Sequence, residues 1–176
     1  MRFTENPPRT IMELFKMLPE GTLAEVIDGS IYMSPAPTPK HQRIVGKLYR
    51  MLSDYIEQNR LGEVFLSPCD VFLDEIANAV QPDLIVVLEA NSSLIGEDAI
   101  HGVPDILIEI HSPGNANHDF ARKKELYEKF GVREYWIIDP SSDDTFGFVL
   151  KGGLFSDAQT HTGKIISPTL RQEFTF

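Results

Sequence analysis

Two acidic residues stand inside apolar runs of the sequence, where a lone carboxylate is costly unless it is paired or bound to a metal. Asp83 opens the run QPDLIVV, and Glu109 lies within ILIEI. Alternate residues of a strand share a face, so Asp105 and Glu109 point the same way but lie about 13 Å apart, at roughly 3.3 Å per residue. One metal ion cannot bridge that distance. Asp83, on another strand, is therefore the better partner for Glu109.

A lysine on an apolar helix face would complete such a site. Residues 118–130 predict a helix, and at about 100° per residue its apolar side chains gather on one side. Lys123 falls near the middle of that side, whereas Lys124 falls at its edge. Two carboxylates that hold a divalent cation, with a lysine that orients or deprotonates the attacking water, make a metal-dependent hydrolytic site. The pattern therefore predicts Mg²⁺, or Mn²⁺, at Asp83 and Glu109, with Lys123 as a catalytic residue.

The elements that would position these groups are predicted from apolar periodicity and from turn residues. The predicted helices span 10–18, 39–60 and 118–130. The predicted strands are the two arms of a hairpin about Asp28-Gly29, then 63–67, 70–74, 83–88, 104–110 and 134–139, followed by strand-like runs in a β tail. Residues 89–103 are expected to form a loop or irregular turn, and Gly62 is expected to end the long helix.

The order of these elements predicts a mixed α/β or α+β fold. A chain of 176 residues is expected to form one domain. Within a single domain over 1–176, we distinguish an N-terminal helix and hairpin at 10–34, a core at 38–140 and the β tail at 141–176.

Composition narrows the class of protein. The chain has 16 basic and 26 acidic residues, a net charge of −10, which argues against a non-specific coat on nucleic acid but not against an enzyme that acts on it. Cys69 is the only cysteine, so no disulfide framework or cysteine-rich zinc site is expected. No secretory signal and no run of about 18 apolar residues is evident. We therefore expect a cytoplasmic protein with no membrane partner.

Four stretches of the chain resemble one group of nucleases. They lie within about residues 23–140 and read EVIDGSIYMSPAPTPKHQRIVGKL, QPDLIVV, PDILIEIHSP and KKELYEKFGVREYWIIDP. Their order of helix, strands, Pro-Asp, Glu-bearing strand, helix and strand resembles the PD-(D/E)xK nuclease superfamily, and within it the Uma-two family of bacterial restriction endonucleases. The resemblance implies a restriction-endonuclease-like fold, with a mixed central sheet flanked by helices.

The resemblance also implies roles for individual residues. Asp83 corresponds to the motif aspartate of the superfamily, and Glu109 to its second acid. The superfamily usually has a lysine two residues after that acid, where this chain has His111. In the Uma-two family the lysine lies in the following helix, which is where Lys123 stands.

Two further residues match the family. Glu25 stands where the family has an early acid, and it is either a site residue or an ordinary surface acid of a strand. His41 stands in the first turn of the long helix, where it would serve as a cap, a substrate contact or a catalytic group. A helix N-terminus disfavours a charged histidine, so the first two of these roles are as well supported as the third.

The sequence leaves three functions open. The first is a Mg²⁺-dependent endonuclease that hydrolyses DNA. The second is a catalytically weak or inactive nuclease-fold module for binding or assembly, in which Lys123 only neutralises Glu109. The third is hydrolysis of a phosphodiester that is not nucleic acid. A homodimer is expected because a symmetric pair suits two-fold cleavage of a duplex, and the apolar residues of the tail at 145–158 offer material for its interface.

Overall fold

A computed structural model of the protein describes residues 8–111 and 118–176. The helices are α1 (Ile11–Lys16), α2 (Pro39–Asn59) and α3 (Lys124–Phe130). A 3-10 turn spans Glu89–Leu94, and a π-helical turn, His118–Lys123, leads into α3. The strands are β1 (Ala24–Ile27), β2 (Ser30–Met33), β3 (Gly62–Leu66), β4 (Val71–Phe72), β5 (Ala79–Val80), β6 (Leu84–Leu88), β7 (Ile100–His101), β8 (Ile106–Ile110), β9 (Glu134–Ile138), β10 (Asp144–Lys151), β11 (Leu154–Phe155), β12 (Gln159–Thr162), β13 (Lys164–Ser167) and β14 (Gln172–Thr175). The fold is mixed α+β, as predicted.

The larger sheet carries the strands on which the site was predicted. Its order is β11-β10-β9-β8-β6-β3, and β12 also pairs with β10. Strands β8 and β9 are parallel, whereas the other neighbours are antiparallel. The predicted strands 83–88, 104–110 and 134–139 are thus confirmed as the adjacent strands β6, β8 and β9, with their ends trimmed by a residue or two.

Alternate side chains of β8 divide this sheet into two faces. Ile106, Ile108 and Ile110 pack in one apolar cluster with α2 and with the hairpin of β13 and β14. Leu107 lies in a second cluster, on the other face, with residues of α3 and of the smaller sheet. Glu109 has the same parity as Leu107, so it points into the layer between the larger sheet and α3.

The smaller sheet runs in the order β2-β1-β5-β4-β7. Its hairpin turns at Asp28 and Gly29, both left-handed (φ 46° and 73°), as a type I′ turn requires. Helix α1 packs Met12 and Phe15 against this sheet. A capping box begins this helix: the Thr10 hydroxyl accepts from the Glu13 amide, and the Glu13 carboxylate accepts from the Thr10 amide.

Several predicted boundaries were wrong. Arg60, not Gly62, ends α2, because Arg60 itself takes the left-handed conformation (φ 53°). Gly62 (φ 144°) instead opens β3, where a Cβ atom would lie 2.1 Å from the carbonyl oxygen of Val87 on β6. Glycine is therefore required there by the close approach of the two strands.

The remaining differences concern short or irregular elements. Strands β4, β5 and β7 have two residues each, too few to give a periodic signal, so the sequence predicted one longer strand at 70–74 and missed the other two. The predicted helix at 118–130 begins as a π-helical turn. Residues 112–117, between the predicted strand 104–110 and the predicted helix 118–130, lie outside the described residues. No helix in the described part of the chain is long and apolar enough to cross a membrane.

The apolar residues of the β tail pack within their own chain. Phe148 is buried, and its ring centroid lies 6.0 Å from that of Phe155. Phe146 is half-buried against the same cluster. Of the large apolar residues on β10 and β11, Leu154 is the exposed one. The predicted dimer interface was based on exposed apolar side chains in the tail, and the tail has little such surface.

Candidate active site

One cavity of about 170 Å³ brings together all five residues that the sequence singled out. They come from five different places in the chain: Glu25 from β1, His41 from the first turn of α2, Asp83 from the position directly before β6, Glu109 from β8 and Lys123 from the π-helical turn. The cavity lies where the smaller sheet meets the larger one. The convergence of residues up to 98 positions apart is a property of the fold and not of any local motif.

The centre of the site is a lysine held between two carboxylates. Lys123 Nζ lies 2.7 Å from Glu109 Oε1 and 2.8 Å from Glu25 Oε1. All three side chains are at most 7% exposed. Charges buried to this degree are stable only when they are paired and hydrogen-bonded. The ammonium therefore compensates both carboxylates, and each of the three groups depends on the other two.

The same arrangement confirms which side of the helix faces inward. Lys123 is buried, as its place in the apolar stripe predicted, whereas Lys124 is half-exposed and lies over the rings of the β tail, 5.3 Å from the Phe148 centroid. A π-helical turn is wider than an α-helical one and is frequent at functional sites. Here it ends at Lys123, directly before the regular helix begins.

Two residues that the sequence did not single out for the site support its carboxylates. The Tyr127 hydroxyl donates to Glu109 Oε1 over 3.2 Å, and the amide of Gln81 donates to Glu25 Oε1 over 2.8 Å. Tyr127 stands four positions after Lys123, on the same helix face, so its place beside that lysine follows from helical spacing. The contact of Gln81 uses a backbone amide, for which the sequence holds no signal.

Asp83 is oriented by two hydrogen bonds to a single oxygen. Its Oδ2 accepts from the amide of Ile110 over 2.7 Å and lies 3.1 Å from His41 Nε2. The amide belongs to the residue next to Glu109, which fixes Asp83 beside that strand. Asp83 is 17% exposed, and its Oδ1 has no hydrogen-bond partner among the described residues. That oxygen is available to a ligand in the cavity.

His41 is held at the start of α2 by local structure. Thr38 is the N-cap, its side chain accepts from the His41 amide over 3.3 Å, and Pro39 occupies the first turn. The imidazole is 5% exposed. Its Nδ1 is buried without a hydrogen-bond partner among the described residues. His41 therefore contacts the site through Asp83, and its helix-capping contact uses only its backbone.

The second Pro-Asp dipeptide has a structural task. Asp105 is 1% exposed and accepts from the Leu88 amide over 2.8 Å and from the Asn91 side chain over 2.9 Å. Arg133 Nε lies 3.1 Å from the same carboxylate. These contacts join Asp105 to β6, to the 3-10 turn and to the residue directly before β9, away from the cavity. The interpretation that Asp105 does not share the site of Glu109 is consistent with this placement.

The donor set of the cavity suits a hard cation. Within residues 8–111 and 118–176, no group of three or more His, Cys, Asp or Glu side chains has the arrangement to hold a metal ion. Mg²⁺ does not need such a cage, because it is usually bound by one or two carboxylates and completes its shell with waters and substrate phosphate oxygens. Asp83, with an unengaged oxygen, and Glu109, which lines the same cavity, fit that mode of binding.

Comparison with known proteins agrees with this fold. The sequence profile of Uma2, described as a putative restriction endonuclease, matches residues 11–176. The chain belongs to the Uma2 family. The resemblance noted in the sequence is thus confirmed and extends through the β tail. Restriction-endonuclease-like families generally use divalent metals. No curated protein matches the chain.

A solved structure shares the fold of this Uma2 member. It is that of a putative nuclease belonging to DUF820 from Anabaena variabilis ATCC 29413, which is 22% identical to this chain with a TM-score of 0.75. The match covers 93% of this chain and 92% of that chain. At this identity the likeness concerns the fold, which is nuclease-like.

Proposed function

We propose that this Uma2 protein is a Mg²⁺-dependent endonuclease that hydrolyses phosphodiester bonds of DNA. The observation that carries the proposal is the gathering of Asp83, Glu109 and Lys123 around one cavity. Two carboxylates can hold a divalent cation, and a lysine beside them can orient the water that attacks phosphorus. Membership of a family described as restriction endonucleases supports the same reaction class.

In this proposal the carboxylates of Asp83 and Glu109 bind the cation. When bound, Mg²⁺ supplies a Lewis acid for the phosphoryl oxygens and lowers the pKa of a coordinated water. The chain orients its own ligands: the Ile110 amide and His41 engage Asp83 Oδ2 and leave Oδ1 for the cation. The Tyr127 hydroxyl restrains Glu109 in the same way.

Lys123 is proposed to orient the attacking water. Two carboxylates within 2.8 Å of its Nζ favour the charged ammonium, and an ammonium is a donor and not a base. Of the two roles that the sequence left open, orientation of the water is therefore favoured over its deprotonation. Glu25 would keep the ammonium in place when Glu109 turns toward a cation.

The competing function is a nuclease-fold module without catalysis. The observation that favours it is the close pairing of Lys123 with Glu25 and Glu109, which by itself would stabilise the fold as a buried ion-pair cluster. In that case the three residues matter for stability but not for any reaction. The two functions differ in whether the cavity binds a divalent cation and cleaves DNA.

The test combines Mn²⁺ calorimetry with nicking of supercoiled plasmid. Glu109→Gln keeps the side-chain shape but removes the charge that a hard cation needs, so we expect metal affinity and nicking to be lost together. Lys123→Ala should lose nicking by about 10²-fold or more while Mn²⁺ still binds. Lys124→Ala, at the neighbouring position outside the cavity, is the matched control and should nick like the wild type. If the wild-type protein neither binds Mn²⁺ nor nicks plasmid, the endonuclease proposal is refuted and the non-catalytic module is the remaining function.

Two further proposals complete this function. We propose a cytoplasmic location, on the ground that Cys69 stands alone in the sequence. We also propose a two-fold homodimer, because paired active sites suit the two strands of a duplex. Light scattering at micromolar protein should give twice the chain mass, and a monomer mass would refute the dimer.

A further inference from the structure

One stretch of the chain that contributes to the site contains no acidic residue. Between Asp28 and Asp54 the sequence has no Asp or Glu, although the whole chain has 26 acidic residues and a net charge of −10. The same stretch contains four basic residues, all on α2: Lys40, Arg43, Lys47 and Arg50. We name these four residues the basic face of α2.

The four side chains share one side of the helix. At about 100° per residue they fall within an arc of about 80°, and at 1.5 Å per residue they extend over about 15 Å. All four are exposed. The buried residues of α2 occupy the opposite side, where they pack on the larger sheet. The basic face is therefore a continuous positive strip on the outer surface.

The charges of this strip are not neutralised by the protein. None of its four side chains has a carboxylate within 4.0 Å among the described residues. Basic residues elsewhere are commonly paired, as Lys16, Lys123, Lys129, Arg133 and Lys164 are. Within the strip, Lys40 only reaches the carbonyl oxygen of Ser141, over 3.5 Å. Like charges three or four positions apart weaken a helix slightly, so the strip does not serve stability.

The strip begins at the mouth of the cavity. His41 and Gln42, in the same helical turns as Lys40 and Arg43, line the cavity wall. The N-terminal end of a helix also carries partial positive charge. Anionic groups bound along the strip would thus lead directly to the proposed catalytic residues.

The residue types on the basic face of α2 indicate which kind of partner it binds. None of the exposed large hydrophobic residues lies on α2, although a membrane-binding helix and the core of a protein interface both need apolar side chains. A row of unpaired Lys and Arg suits a row of phosphates. We propose that the basic face of α2 binds the phosphate backbone of duplex DNA and positions the duplex over the cavity. This proposal rests on the proposed function, since it names the surface that presents DNA to that site.

The test compares two triple variants with the same change in net charge. The first is Arg43→Gln, Lys47→Gln and Arg50→Gln, on the basic face. The control is Arg9→Gln, Lys151→Gln and Arg171→Gln, three exposed basic residues elsewhere that also lack a carboxylate partner among the described residues. Binding of a short fluorescent duplex is followed by anisotropy in EDTA, where no metal-dependent cleavage occurs, over a range of salt concentrations.

The expected result is a change in salt dependence. The binding constant falls as salt rises, and each lost phosphate contact makes the slope of log K against log salt less steep by about 0.9. The slope of the face variant should therefore be about 2.7 less steep than that of the wild type, whereas the slope of the control should be almost unchanged. Equal slopes in the two triple variants, or no binding of duplex by the wild type, would overturn the proposal.

A second measurement separates this proposal from the proposed function. With Mg²⁺, the face variant should nick plasmid more slowly but hydrolyse the small diester bis(p-nitrophenyl) phosphate at the wild-type rate, because that substrate is too short to reach the strip. If the wild type hydrolyses neither substrate while its duplex binding still depends on the face, the nuclease assignment fails and the binding surface stands.

Discussion

Replacing Lys123 with alanine tests the charge balance at the centre of the cavity. Its ammonium is shared by Glu25 and Glu109 at 2.8 and 2.7 Å, and all three side chains are buried. The variant leaves two buried carboxylates without their counter-charge, and breaking a buried ion pair in this way costs about 3–5 kcal/mol. A domain has a total free energy of unfolding of about 5–15 kcal/mol. We therefore expect a large loss of stability besides the loss of activity.

The neighbouring Lys124→Ala variant is the reference against which the loss of stability is compared. Lys124 Nζ lies 5.3 Å from the Phe148 ring centroid and 5.9 Å from that of Phe155. A half-exposed cation–π contact of this kind is worth about 0.5–1 kcal/mol. Two substitutions that are adjacent in sequence and identical in chemistry should thus differ severalfold in their effect on the free energy of unfolding.

The assay is urea unfolding followed by tryptophan fluorescence. Trp136 is the only tryptophan and is fully buried, so its emission reports the core directly. The Lys123→Ala variant should regain part of its loss as the pH falls, because protonation of one carboxylate removes uncompensated charge. Added Mn²⁺ should also stabilise the variant. Equal unfolding free energies for the two variants at neutral pH would refute the reasoning, since the ammonium would then not balance the buried acids.

Two further predictions concern stability away from the cavity. Gly147→Ala on β10 puts a Cβ atom 2.3 Å from the Trp136 indole, so overpacking should lower the free energy of unfolding by about 1–3 kcal/mol, and urea unfolding with an unchanged midpoint would contradict this. Hydrogen bonds to Asp98 and Glu75 raise the pKa of His101. Its stabilising contribution is therefore full below its unfolded pKa of about 6.5 and is lost as the pH rises through the raised folded value. Thermal unfolding of the wild type from about pH 6 to pH 9 should show a small decline that His101→Gln lacks, and parallel curves for the two proteins would count against the ion pair.

Local signals predicted much of this structure. The hairpin at Asp28-Gly29 and the start of the long helix at Pro39 appear as expected, because each depends on residues within a few positions of one another. The inward direction of Lys123 also followed from helical periodicity alone. The parallel pairing of β8 and β9 and their position at the centre of the sheet agree with their continuous apolar sequences.

Contacts between distant parts of the chain could not be predicted from the sequence. Nothing near Glu25 indicates that it shares an ammonium with Glu109, and the support of Glu25 by the Gln81 amide uses a group that every residue but proline possesses. Gly62 looked like a helix stop because glycine commonly ends helices. Its actual requirement is the approach of β6, which only the assembled sheet reveals.

The division of the cavity between two sheets has a consequence for when the site exists. Glu25 belongs to the smaller sheet, whereas Glu109 belongs to the larger one, and Lys123 joins them only after both have formed and met. A nascent chain still leaving the ribosome, or a fragment in which one sheet has come apart, holds an incomplete set of groups. Under the proposed nuclease function, catalytic competence would therefore be a late event of folding, and damaged or unfinished copies would be inert toward the DNA of their own cell.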